Sequence, residues 1–321
     1  MTSPLLALAK IGAAVLAVLF AGLMCPYIGW LRRKIRAKVH GRVGPPWWQE
    51  YADLVKLLYK EDLIPATASR GWFTLMPALC FAVAISLPVL IFPIFYSLSD
   101  LILIAYSLLM VSVLLILAGY ASNNPYSIVG ARRALLAVLM YELPFVIVLI
   151  TIFILTGTTN IFKIITWQAL HGPIIMYLPL SAAAYVMCVP IKAILNPFSI
   201  ATAETELMEG VLLEYSGKRL ALLEFAHKME FYALALLFAI VFTNLPGFTI
   251  STMATNSYMA AIWVLWVIFI AFIFSIVVSF VDALTARLQP YKAPKIYWII
   301  TTILSVVNLI VICMLKIAGI V

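Results

Sequence analysis

Eight stretches of apolar residues, each long enough to cross a bilayer as a helix, divide this chain. They fall near residues 5–30, 71–96, 101–120, 134–155, 174–191, 220–242, 258–284 and 296–315. Backbone placed in hydrocarbon must satisfy its own N–H and C=O groups, so such stretches fold as helices. Composition agrees: 65% of the 321 residues are hydrophobic and 11% are charged, against about 25% charged in soluble domains. A soluble enzyme and a disordered chain are therefore excluded. The expected fold class is all-α, a polytopic membrane protein with eight transmembrane helices plus an amphipathic helix on the inner face. No hydrophilic stretch is long enough for a separate domain, so 1–321 reads as a single integral membrane domain. Pro77, Pro88, Pro144 and Pro190 lie inside runs and predict kinks.

The basic residues sort by side. Of the 21 lysines and arginines, all but Lys10, Lys163 and Lys316 lie in or beside alternate connections. By the positive-inside rule those connections are cytoplasmic and both termini lie on the outer side of the plasma membrane. Of the 13 acids, only Asp100 falls outside, and the outer connection over 243–258 carries no charge. Chemistry is therefore expected at the inner face. The net charge of +8 follows from this loop bias and not from nucleic-acid binding. The N-terminus lacks a basic leader and a small-residue cleavage site, so the first run is expected to be a span and not a signal.

Residues 46–61 follow a Pro45-Pro46 break and have amphipathic spacing. Trp47, Trp48, Tyr51, Leu54, Val55 and Leu58 share one face, and Gln49, Asp53, Lys56 and Lys60 the other. This reads as an interfacial helix anchored by tryptophans, or as one whose polar face belongs to a site. Asp53 and Lys56 are spaced to pair with each other.

Glu142 sits in the middle of the fourth run, where a carboxyl is costly and marks a functional site. An acidic inner loop over 196–219 leads into the sixth run. Together they carry Glu204, Glu206, Glu209, Glu214, Glu224, His227 and Glu230. Glu224, His227 and Glu230 form one stripe along a helix. A solvated loop accounts for Glu204 to Glu214 alone, and one histidine among spread carboxylates makes a poor metal site. A proton or ion path accounts for both parts. Cys25, Cys80, Cys188 and Cys313 are scattered without CxxC spacing and read as packing residues. No dinucleotide or P-loop motif is present, and no histidine pair suits haem. No catalytic residue, metal or redox cofactor is expected in this chain.

Three segments carry a family resemblance: RRKIRAKVHGRVGPPWWQEYADLVKLLYKEDLIP from Arg32, SNNPYSIVGARRALLAVLMYELPF from Ser122, and FSIATAETELMEGVLLEYSG from Phe198. They resemble the mitochondrial subunit 1 family of respiratory complex I, bacterial homologues included. More closely they resemble the membrane-anchor subunits of energy-converting, membrane-bound NiFe hydrogenases and their sulfur-reducing relatives. The resemblance implies a heel subunit between a soluble redox arm and an ion-pumping membrane arm. It implies NiFe and Fe-S centres in partner subunits: a NiFe-type large subunit and an Fe-S small subunit on the cytoplasmic face, with antiporter-like and small membrane subunits in the bilayer. It places Arg42, Asp53 and Lys56 in a cavity under the redox arm, and Glu142, Glu204, Glu206 and Glu214 on a glutamate path.

The chain departs from the quinone branch of that family. Arg32 stands where that branch usually has glutamate, Ser199 and Thr202 replace two acids, and His227 replaces a glutamate. These changes favour the hydrogenase-like branch. The rivals are a quinone-binding subunit, a sulfur-reducing complex, a stand-alone transporter and a passive anchor. No internal repeat of the kind many transporters show is found.

Overall fold

The computed structural model describes residues 4–95, 98–245, 247, 257–288 and 292–318. In chain order its helices are α1 (Pro4–Val39), α2 (Gln49–Tyr59), α3 (Arg70–Ile91), α4 (Leu101–Ala121), α5 (Pro125–Thr156) and α6 (Ile161–His171). They continue as α7 (Ile174–Tyr177), α8 (Pro179–Lys192), α9 (Glu204–Leu207), α10 (Gly217–Phe242), α11 (Ser257–Leu284) and α12 (Lys292–Ile317). Among the described residues there is no strand, only an isolated bridge between Asp100 and Asn160.

Among the described residues seven helices, not eight, are long and apolar enough to cross a membrane: α1, α3, α4, α5, α10, α11 and α12. The expected span over 174–191 is broken into α7 and α8. The break is at Leu178 (φ −125°, ψ 57°), directly before Pro179. Proline bars the helical conformation from the residue before it, so the apolar run continues while the helix does not. The helices run through Pro77, Pro88, Pro144 and Pro190. The uncharged connection over 243–258 lies largely outside the described residues.

α10 is the central post. Every residue from 229 to 242 is buried, as an all-round apolar helix requires. The bundle is widest at its inner end because two helices overshoot. α1 has 36 residues, about 54 Å at helical rise, against about 30 Å of hydrocarbon. Its basic last turns therefore project beyond the membrane. α5 has 32 residues and starts nine residues before the apolar run that marks it in the sequence. There Pro125 takes the first helical position and Asn124 caps it, its side chain accepting from Tyr126 N at 2.9 Å.

α2 is shorter than the sequence suggests. Trp47 and Trp48 lie in the turn before it, both exposed. The helix is tied to the bundle by Tyr51, whose hydroxyl donates to Leu23 O, and by Glu50, its buried residue.

The acidic loop packs on the inner ends of α4 and α5. Met208, Glu209 and Gly210 all adopt positive φ, which turns the chain sharply. Gly210 there lies against Gly130 of α5: a Cβ on Gly130 would come within 2.9 Å of Gly210 Cα and Val211 N. Tyr215 stacks on Phe73 with ring centres 4.2 Å apart, and its hydroxyl donates to Ala118 O at 2.9 Å. Burial holds this phenol above its usual range, opposed by nearby Arg219.

Candidate functional site

Where α1, α10 and α11 meet the acidic loop, they enclose a cavity of about 290 Å³. Its wall is charged. Arg32, Arg33 and Arg36 come from α1, Glu224, His227 and Lys228 from α10, and Asp282 from α11. Ion pairs brace this wall. Glu50 points in from α2, where Arg33 Nε reaches it at 2.6 Å and Lys228 Nζ at 2.7 Å. Lys228 also reaches Glu224 at 3.6 Å. Arg36 pairs with buried Asp282, whose other oxygen accepts from Asn196 N at 3.0 Å. A buried carboxylate is stable only with such partners.

A second polar group lies deeper. Glu230 follows His227 by one turn, its carboxylate 3.8 Å from His227 Nδ1. From Lys192 runs a chain of donors: Lys192 Nζ to Tyr141 Oη at 3.2 Å, Tyr141 to Ser112 Oγ at 2.9 Å, and Ser112 to Glu230 Oε1 at 3.2 Å. Lys192 also sits 4.4 Å from the centre of the Tyr141 ring, where the ring's electron-rich face favours a cation. Beside these groups is a void of about 20 Å³, room for one water molecule. Leu115 and Ile194 line both the void and the cavity, so these two apolar side chains divide them.

Glu142 follows Tyr141 in α5 but faces another way. It lines an apolar groove of about 360 Å³ between α4 and α5. Its Oε2 is enclosed and has no hydrogen-bond partner among the described residues.

The remaining expected site residues sit at the inner face. Glu206 meets Arg133 at 2.6 Å. Glu214 accepts from Asn124 Nδ2, and Glu209 lines the cavity. The Glu204 side chain lies outside the described residues. Arg42, Asp53 and Lys56 lie beside the cavity and not in its wall. Arg42 contacts His40. Asp53 turns to Arg33 at 3.1 Å rather than to Lys56, which is exposed. Among the described residues no group of three or more His, Cys, Asp or Glu could hold a metal ion.

Sequence reasoning passed over Glu50, Asp282, Lys192, Ser112 and Tyr141. Lys192 and Asp282 close apolar runs, so the rule that marks Glu142 would have marked them too. Nothing in the sequence distinguishes Glu50 from the other charges of its helix.

An all-helical membrane subunit with a charged inner-face cavity and an intramembrane acid–base group is the class this geometry defines. Residues 11–313 match the NADH dehydrogenase family, and the chain belongs to it, as a relative of the complex I membrane subunit described by the mitochondrial subunit 1 name. It is 34% identical to a membrane subunit of NADH-quinone oxidoreductase from Thermomicrobium roseum, over 72% of this chain and 76% of that one. It is 32% identical to hydrogenase-4 component C of Escherichia coli over 68% and 71%. The fold matches a chain of the membrane-bound sulfane sulfur reductase, an archaeal respiratory membrane complex. There the TM-score is 0.82 at 26% identity, covering 95% of this chain and 99% of that one.

Proposed function

We propose that this chain is the heel subunit of an energy-converting, hydrogenase-like membrane complex. In this reading a NiFe-type large subunit and an Fe-S small subunit dock on its cytoplasmic face and carry the redox centres. Antiporter-like and small membrane subunits flank it in the plasma membrane, and both of its termini lie outside. The chain holds no redox centre and couples electron transfer to H⁺ or Na⁺ movement.

The observation that carries this reading is the descent of ionisable groups from the cavity into the bundle. The cavity wall holds Glu224, His227 and Lys228, Glu230 and Lys192 lie below it, and Glu142 lies beyond them on the outer surface of α5. A change of charge in a docked redox arm alters the balance among Glu209, Glu224 and His227. Interacting carboxyls resist joint ionisation, so the change passes to Glu230 and Lys192. Glu142, with an unsatisfied carboxyl oxygen, hands the proton or the charge to a membrane partner lying along the α4–α5 groove. Glu206 and Glu214 are proposed as the intake from the inner face, with Glu204 beside them. Arg42, Asp53 and Lys56 are proposed as contacts for the redox arm.

Arg32, Ser199, Thr202 and His227, where the chain departs from the quinone branch, all line the cavity. That convergence favours the hydrogenase-like or sulfur-reducing reading over quinone binding. The test is purification of the tagged chain in mild detergent, with co-purifying subunits, nickel and quinone determined together. Nickel with a NiFe-type large subunit supports the proposal, partners without nickel shift it to a sulfur or quinone reductase, and a chain that purifies alone overturns it.

A further inference from the structure

Arg32 faces the cavity without a hydrogen bond or an ion pair to any described residue. Its neighbours Arg33 and Arg36 are both paired, yet Arg36 Nε is also buried without a partner among the described residues. Guanidinium donors withdrawn from water require acceptors. The wall supplies too few: five bases line it (Arg32, Arg33, Arg36, Lys228 and Arg287) against three acids (Glu209, Glu224 and Asp282). Glu50 behind the wall offsets one more and still leaves an excess of positive charge.

The same three helices form a second hollow on the membrane side. Met24, Tyr27 and Ile28 of α1, Tyr232 of α10, and Phe269 and Phe272 of α11 wall an apolar groove of about 450 Å³. Ile28 is one turn before Arg32, and Tyr232 is one turn after Lys228. Between the two hollows is a gap of about 20 Å³ lined by Arg32, His227 and Lys228, which also line the cavity, with Cys25, Gly29 and Phe231. In the groove, Tyr232 is 1% exposed and its hydroxyl has no hydrogen-bond partner among the described residues. An apolar groove thus holds one unsatisfied donor and ends at unsatisfied guanidinium groups.

We propose that groove and cavity are the two ends of one binding site for an anionic phospholipid. An acyl chain lies against Tyr27, Phe269 and Phe272, and an ester oxygen accepts from the Tyr232 hydroxyl. The phosphate sits on Arg32 and Arg36 Nε. A free anion satisfies the cavity but leaves the groove and Tyr232 unserved. A zwitterionic lipid brings its own cation into an already positive wall. The bound headgroup completes the charge balance where the redox arm is expected to dock. This holds whichever acceptor the arm reduces.

The test is lipid analysis of the assembled complex, washed with detergent and excess zwitterionic lipid. About one anionic phospholipid per chain should remain. Arg32→Gln should lower its retention about tenfold, as expected for loss of a charge-assisted hydrogen bond. Tyr232→Phe should lower it severalfold, and Arg70→Gln, an exposed inner-face base away from the site, should leave it unchanged. Equal retention of zwitterionic lipid overturns the proposal, as does full retention by Arg32→Gln. Delipidated complex that binds inorganic phosphate at Arg32 but shows no preference for anionic lipid also overturns it, leaving a free-anion site. If Arg32→Gln does not assemble, Arg32→Lys, which keeps the charge but loses the fork, must still weaken retention, and the wild-type lipid count stands by itself.

Discussion

Lys192 Nζ and Glu230 Oε1 face each other across the interior of the bundle at 3.8 Å, and their side chains are 1% and 3% exposed. They are joined a second time through Tyr141 and Ser112, so the ammonium and the carboxylate close one ring of donors and acceptors. Each charge is compensated chiefly by the other and by this ring.

Removing one member should therefore cost more than removing both. Lys192→Met or Glu230→Gln leaves an uncompensated group in a dry site, at about 3–5 kcal/mol. The double variant should recover most of that loss in thermal unfolding of the purified complex. Ion translocation should stay abolished in all three variants. Recovery of pumping in the double variant would show that the pair is structural alone.

Glu142 presents the opposite case. It is half-buried and its enclosed carboxyl oxygen bonds nothing described, so Glu142→Gln should leave assembly and melting temperature nearly unchanged. Electron transfer through the complex should continue while ion movement per electron falls to background. Glu142→Asp should retain part of it. Measuring redox turnover and ion uptake on the same proteoliposomes separates the two effects, and full pumping by Glu142→Gln would remove Glu142 from the path.

Apolar run length reveals helices because hydrocarbon leaves the backbone no alternative, and it located seven long helices. It does not reveal that proline splits a run, as at Leu178 and Pro179. Glu142 was legible because a lone acid in an apolar run is conspicuous. Glu50 was not, because its burial depends on Arg33 and Lys228 arriving from two other helices. Long-range pairing of this kind leaves no local periodicity.

The acidic loop makes a separate test of packing. Gly130→Ala should force the loop backbone off α5, since the added Cβ meets backbone atoms at 2.9 Å. Overpacking of this kind costs about 1–3 kcal/mol. Limited proteolysis should then cut within 196–219 while the bundle stays intact. Unchanged protection would mean that the loop is held mainly by Tyr215.

Tyr215 should give the docked loop a pH dependence. Its phenol is raised above the ordinary value of 10.0 by burial, so the folded state binds the proton more tightly than the unfolded one. Its contribution is fully present below pH 10 and is lost as pH rises through the higher folded value. Loop protection measured from about pH 8 upward should hold and then fall in the alkaline range. Tyr215→Phe should flatten that fall, at the expense of about 1 kcal/mol for the bond to Ala118 O. An equally steep fall in Tyr215→Phe would assign the dependence to another group.

Leu115 and Ile194 divide the cavity from the void beside Lys192 and Glu230, and on this reading they set the resting state of the path. Ile194 is held in the left-handed region at φ 47°, where a β-branched residue is strained. Its side chain thus stays against Leu115 although the backbone there favours another residue. A proton from the cavity cannot reach Glu230 through two apolar side chains without water between them. Opening the partition should therefore create a leak that needs no electron flow. Leu115→Ala widens it and should raise passive proton entry into proteoliposomes under an imposed pH gradient with no electron donor present. Ile194→Gly should do the same while relieving the strained backbone, so it should destabilise the complex less than Leu115→Ala, for which about 2–5 kcal/mol is expected. Leu115→Phe should have the reverse effect, with low leak and slowed coupled pumping. A leak equal to wild type in both enlarging variants would place the barrier elsewhere, between Glu230 and Glu142.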